Sequence, residues 1–207
     1  MYKTDHFSTG DQSEILAFMK ANSFASICGI GPDGYPVATH LPVLVEMKND
    51  TVYLQGHMMR KQMHTLAFEK NDKVLAIFNG PHAYISASLY EPQNTASTWN
   101  YSSVQATGQI RFLDDDHLYR LLEKLTNHYE QDPASPARFE HLTEAYIQSN
   151  MKAIVAFEIK VSALQHVFKW SQNKPADVQE NIIQSLLNGT IEDHLAAKEM
   201  MLRLHKS

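Results

Sequence analysis

Arg60 and Lys61 are the residues with the most pointed chemistry in this chain. They are adjacent cations between an extended stretch, Thr51–Gln55, and a short amphipathic segment in which Met63, Leu66 and Ala67 recur at helical spacing. A helix start carries unpaired N–H groups and the positive end of the macrodipole, which favours an anion. Two cations just ahead of it suit a phosphate. A ligand whose phosphate sits there needs a second region to hold its remainder. Tyr84, Trp99, Tyr101 and Trp170 could form an aromatic wall, and Lys169-Trp-Ser-Gln-Asn-Lys174 combines cations and amides around one indole. A planar ring with a polar edge, as in a flavin nucleotide, matches that pairing of wall and donors.

Other chemistries are weaker. Gly29-Ile-Gly31-Pro-Asp-Gly34 matches the spacing of a dinucleotide fingerprint, but Tyr35-Pro36 follows where a helix is required, so the glycines serve a hairpin. Eleven histidines are present. His40, His57, His64 and His82 lie nearest the central stretch, and none has a compact metal-ligand spacing, so no metal site is expected. No G-x-S-x-G elbow occurs. The single cysteine, Cys28, lies in the apolar run Phe24–Ile30 and is expected to be a core residue.

The elements that must position these residues follow from period and punctuation. A capped first helix is expected from Thr9 or Asp11, with Ile15, Phe18, Met19 and Asn22 on one face. Strands are expected at Phe24–Ile30, Tyr35–Glu46, Thr51–Gln55, Lys73–Phe78, Ala83–Ser88 and Trp99–Leu113. Turns at Gly31–Gly34 and Lys48–Asp50 and a polar loop at Glu91–Ser97 join several of them. Pro36 and Pro42 place an edge or bulge in the second strand, and Gly108 marks a bulge in the last. Asp114 then caps a helix with the stripe Leu118, Leu121, Leu122, Leu125 and Tyr129. Ser135-Pro136 opens another, with Leu142, Ala145 and Tyr146 on one face. Strands return at Ala153–Val161 and Leu164–Trp170. Helices follow at Pro175–Gly189 and Ile191–His205. The expected fold is α+β: one domain over residues 1–207, built on an antiparallel β-barrel of about six or more strands. Helices are inserted at about 114–150 and appended at about 175–205.

The chain has 207 residues, 43% of them hydrophobic, which is enough to bury a core. Its net charge of -5 argues against nucleic-acid binding through bulk charge. No apolar run approaches the roughly 20 residues of a membrane span, and the N-terminus lacks the apolar core of a signal peptide. A cytoplasmic protein is therefore expected, in which Asn100-Tyr-Ser102 and Asn188-Gly-Thr190 are not glycosylation sites.

Thr39-His-Leu-Pro42, Gly56-His57, Gly80-Pro-His-x-Tyr-Ile-Ser86, Thr98-Trp-Asn-Tyr101 and Ser171-Gln-Asn173, in that order, resemble the PaiB family of FMN-binding proteins over nearly the whole chain. That family is similar in fold to the FMN-binding split barrels, including pyridoxamine 5′-phosphate oxidase. The resemblance implies a homodimer burying two FMN molecules at its interface. Arg60 and Lys61 would hold the flavin phosphate. Thr39, His40 and Leu41 would run beside the ring, with Tyr84 and Ser86 in the same pocket, and His57 would be a further cofactor-binding residue. Trp99, Asn100, Lys169, Gln172 and Lys174 would come from the partner subunit. It also implies a negative transcriptional regulator with DNA as a partner. A flavin-dependent oxidoreductase, with His57 or His82 as first guesses for its base, is the alternative, and a cofactor-free interaction module is a third. Two departures stand out. Met58-Met59-Arg60-Lys61 replaces the family's Ala-Arg-Ala-Asn. Lys174 replaces an arginine, keeping the charge but losing its two-pronged donor.

Overall fold

A computed structural model describes residues 5–90 and 95–204. The first half of the expected Glu91–Ser97 loop and His205 lie outside the described residues. The chain orders as α1 (Gln12–Ala21), β1 (Phe24–Ile30), β2 (Pro36–Pro42), β3 (Leu44–Lys48), β4 (Thr51–Met59), α2 (Met63–Lys70), β5 (Lys73–Ile85), β6 (Thr98–Phe112), α3 (Asp115–Tyr129), α4 (Glu144–Met151), β7 (Ile154–Lys169), α5 (Ala176–Leu187) and α6 (Ile191–Leu204). The strands form one antiparallel sheet in the order β2-β1-β5-β6-β7-β4-β3. This is the α+β split-barrel class, with seven strands. Two compact units share the chain. One comprises residues 19–78 and 105–164, the other residues 1–18, 79–104 and 165–207.

Within the first of these units, the expected Tyr35–Glu46 strand is two strands. Pro42 ends β2, and the Val43 N–H turns away to the Ser23 carbonyl at 2.9 Å. β2 is an outer strand of the sheet, with Pro36 and Pro42 at its two ends, where a missing donor costs no ladder bond. Asn49 and Asp50 both have positive φ, 48° and 58°, between the facing pair Lys48 and Thr51. That is the backbone of the two-residue hairpin turn whose twist suits antiparallel strands. β4 continues four residues past the expected Gln55, because Gly56–Met59 pair in register with Ile154–Phe157 of β7. Gly56 is required there. A Cβ would stand 2.8 Å from the Phe157 ring and 3.0 Å from the Pro42 carbonyl, so β2 and β4 approach closely.

The helical insertion also differs in detail. Asp114 caps α3 as expected, its carboxylate accepting the His117 N–H at 2.9 Å. Leu118, Leu121 and Leu125 bury with Phe139, Ile147 and Met151, whereas Tyr129 is exposed. No helix opens at Ser135-Pro136. A short 3-10 turn covers Phe139–His141, and α4 begins only after Thr143, whose hydroxyl accepts the Tyr146 N–H. The inward residues are therefore Ile147 and Met151, while Tyr146 points to solvent.

β5 and β7 are each longer than local signals indicate, whereas β6 has the length expected of it. Gly80-Pro81 does not break β5, and β7 runs unbroken through Ser162-Ala163. Cross-strand bonds hold that part of β7: the Ser162 hydroxyl donates to the Thr107 carbonyl at 3.1 Å. Gly108 is a close-approach residue, since a Cβ there would meet the Lys160 carbonyl oxygen at 2.4 Å.

In the second unit, α5 buries Val178, Ile182, Ile183 and Leu186, and α6 buries Ala196, Ala197 and Met200. Thr190 and Asp193 bond reciprocally at the α6 start, with Thr190 N–H on the Asp193 carboxylate at 2.8 Å and Asp193 N–H on the Thr190 hydroxyl at 3.3 Å. Among the described residues no helix is long and apolar enough to cross a membrane.

Candidate functional site

The expected site residues fall into two groups, one in each unit. The first lies on β2, β4 and the turn into α2. Thr39 and Leu41 share one face of β2, with Leu41 buried, while His40 faces the other way and is exposed. His57 alternates with Gly56 and Met58 on β4 and is half-buried. Among the described residues its Nδ1 is buried without a hydrogen-bond partner, and so is Nε2 of His64 in the first turn of α2. Burial pushes the His57 pKa down, so the ring is neutral at pH 7.

That shift has a measurable sign. The folded-state value lies below the ordinary value near 6.5. The associated stability is complete above about pH 6.5 and falls as the unfolded chain takes up a proton that the buried ring does not. In flavin-free protein, the urea midpoint is expected to drop between pH 7.5 and 5.5, and to drop less in His57→Gln. Equal drops in the two proteins would remove His57 from that account.

The two cations behave differently from one another. Arg60 is tied down at both ends: its N–H donates to the Ala153 carbonyl at 2.8 Å, and its guanidinium pairs with Asp115 at 2.8 Å. Asp115 is a first-turn acid of α3. Lys61 stands exposed at φ 60°, the left-handed conformation that brings the chain sharply from β4 into α2. Gln62 is the N-cap, and its side chain makes no capping bond. Thr65 fixes α2 to the strand by donating its hydroxyl proton to the Met59 carbonyl at 2.7 Å. Met63 is the first helical residue, so the cations sit in the turn ahead of it rather than in the helix. The first-turn N–H groups have no partner within the helix itself. Together these donors offer what a phosphate needs: backbone N–H groups, an exposed ammonium and a guanidinium held in place.

The second group is aromatic. Trp99 is 53% exposed, with Tyr84 edge-on at 5.8 Å and His82 tilted at 5.9 Å between ring centroids. A hollow of about 330 Å³ is lined by Asn79, Gly80, His82, Trp99, Tyr101 and Ser102. Trp170, expected in the same wall, is instead 1% exposed, with its indole N–H on the Ser102 hydroxyl at 2.7 Å. Asn100 is fully buried, its amide bonded both ways to Ser171 at 3.0 and 3.1 Å. Gln172 spends its side chain on its own turn, accepting from Trp170 N–H at 2.7 Å and donating to the Phe168 carbonyl at 2.6 Å. Ser86 caps a short turn by accepting the Ser88 N–H. Lys169 meets the Thr98 hydroxyl, and burial pulls its pKa down. Lys174 lies 4.6 Å from the Tyr90 ring centre. The exposed members are thus Tyr84 and Trp99, joined by His82. Asp115 has no local signal for its partnership with Arg60, since 55 residues separate the two.

No cluster of three or more metal-ligating side chains occurs among the described residues. A family model described as "Putative FMN-binding domain" matches residues 1–163. The chain is 36% identical over 200 residues to protease synthase and sporulation protein PAI 2 of Bacillus subtilis, covering 97% of this chain and 94% of that protein. Among solved structures it is similar in fold to a conserved hypothetical protein of Mycobacterium tuberculosis. The TM-score is 0.58 at 14% identity, with 84% of this chain and 94% of that one covered. It is likewise similar to an FAD- and heme-binding protein of Mycobacterium smegmatis, with TM-score 0.57 at 17% identity over 88% and 80% of the two chains.

Proposed function

The chain belongs to the PaiB family of FMN-binding proteins, and from that premise we propose that it binds FMN as a homodimer and acts as a regulator of transcription. The observation that carries the cofactor assignment is the β4–α2 turn. It offers first-turn N–H groups, an uncapped Gln62 and the exposed Lys61 beside Arg60. The Nδ1 of His57, buried and without a partner among the described residues, lies on the strand leading there and is a further polar atom suited to a ligand. These residues fit a flavin phosphate and one polar edge of its ring.

Bound FMN would supply reversible one- and two-electron transfer. This chain's residues bind and orient it: Lys61 and Arg60 hold the phosphate, and Thr39 and Leu41 line the ring. The Trp99–Tyr84 face would be contributed by a second copy, and Lys169, Gln172 and Lys174 would steady that contribution. The regulatory output, with DNA as partner, rests on family membership and the similarity to PAI 2 rather than on a surface of this chain. A flavin-dependent oxidoreductase is the second reading, favoured by the imidazole of His82 at the edge of the aromatic hollow.

One titration tests the cofactor. Trp99 is half exposed and Trp170 buried. FMN added to flavin-free protein is therefore expected to quench the Trp99 share of the fluorescence, and Trp99→Phe should lose most of that quench while still binding. Protein that takes up no flavin at micromolar concentrations would overturn the assignment. In the same flavin-loaded sample, salt-sensitive retention of a promoter fragment supports regulation, and sustained turnover of NADH or NADPH supports the oxidoreductase.

A further inference from the structure

A second polar hollow, of about 500 Å³, opens on the sheet within the unit of residues 19–78 and 105–164. Its walls come from neighbouring strands: Arg111 of β6, Glu158 and Lys160 of β7, and Tyr53 of β4, with Lys48 at the end of β3. Lys160 stands directly across from Tyr53, and Glu158 across from Gln55. The organising residue is Glu158. Its side chain is only 8% exposed, yet it is a carboxylate on a face whose neighbours are polar. It accepts from Arg111 at 2.7 and 3.2 Å on one oxygen and from Gln55 at 2.7 Å on the other. Burial alone would raise its pKa, and these bonds more than reverse that.

The result is an arginine held by two hydrogen bonds while 71% of its side chain remains exposed. A solvent-facing arginine normally samples many rotamers and loses that freedom on binding. Here the buried carboxylate has already fixed it. Lys160 is exposed with no partner among the described residues. Lys48 lies 5.8 Å from the Tyr53 ring centre and 2.9 Å from Glu46. The opposing charges in the hollow are Glu158, already engaged by Arg111 and Gln55, and Asp72, which accepts from Gln109 at 3.0 Å.

We propose that this hollow binds a small molecule through an oxyanion, a phosphate or a carboxylate, seated on Arg111 and Lys160 with Tyr53 as its flat wall. The volume is that of a small-ligand site. It is separate from the flavin phosphate position. Arg60 lies seven residues beyond Tyr53 along one extended chain, roughly 23 Å at about 3.3 Å per residue. The proposal does not depend on flavin binding.

The test uses pyrophosphate and citrate as probes in calorimetric titrations at constant ionic strength, with and without saturating FMN. Saturable binding of either probe is expected, unchanged by FMN and by Arg60→Ala with Lys61→Ala. Binding is expected to weaken about tenfold in Lys160→Gln, an exposed change that leaves the Glu158 network intact. Arg111→Gln should abolish it; because that change strips the buried carboxylate, Lys160→Gln carries the decision if Arg111→Gln unfolds. Which probe binds tells phosphate from carboxylate. Absence of saturable binding by both probes overturns the proposal. So does displacement of the probe by FMN, or full affinity in Lys160→Gln.

Discussion

Replacing Arg60 and Lys61 together by alanine is expected to weaken FMN binding about a hundredfold, or about 2.7 kcal/mol, with little change in folding stability. A charge-assisted hydrogen bond to a phosphate is worth about 1.5–3 kcal/mol. The loss of two is partly offset, because Arg60 already shares its charge with Asp115 at 2.8 Å. That ion pair is open to water, with side chains 37% and 75% exposed. Exposed pairs contribute about 0–1 kcal/mol, so the unfolding midpoint should hardly move. The Asp115 contact gives the prediction a second arm. Asp115→Asn frees Arg60 and should tighten FMN binding, whereas a merely structural role for Arg60 would leave affinity unchanged. Flavin titration of the three proteins decides it. Wild-type affinity in the double variant would remove the phosphate from this turn.

Trp170→Ala is expected to be the most damaging single change to the fold, by about 4 kcal/mol. The indole is 1% exposed, and its N–H is the donor to Ser102. Truncation empties a large volume and strands a buried hydroxyl, two penalties that add. For a chain of this length each kcal/mol moves the melting temperature by about 2–4 °C, so thermal unfolding should fall by roughly 10 °C. Trp170→Phe keeps most of the volume but not the donor and should lose less than half as much. A melting temperature within a few degrees of wild type for Trp170→Ala would mean that the ring is not a core residue. In the sequence the same residue reads as a flavin wall, because an aromatic side chain among lysines and amides has the same local signature in either role.

The β-hairpins, the acidic cap of α3 and the C-terminal helix pair were legible locally. Each rests on a short-range rule: two positive-φ residues at Asn49 and Asp50, an Asp114 side chain on a nearby N–H, and apolar residues at helical steps in α5. The lengths of β5 and β7 were not. Gly80-Pro81 and Ser162-Ala163 are breakers only until neighbouring strands supply the missing bonds, and those neighbours are distant in sequence. The α4 boundary failed similarly. Ser135 carries a turn signal as good as Thr143's, but the segment after it reaches the Leu118–Leu125 stripe through Phe139 in a 3-10 turn, and the helical pair Ile147 and Met151 follows only after Thr143.

By itself, then, the sequence determined the class of fold, the turn that carries Arg60 and Lys61, and the family, because these are properties of consecutive residues and ordered motifs. Tertiary structure alone decided which polar side chains remain free. Asn100 and Gln172 are consumed by internal bonds, and Trp170 is core. Arg60 is countered by an acid 55 positions away, while Arg111 is braced by a buried Glu158. The reason is that a side chain's availability depends on who else reaches it. In a sheet ordered β2-β1-β5-β6-β7-β4-β3 the nearest neighbours are set by strand pairing, which no local stretch of the chain encodes.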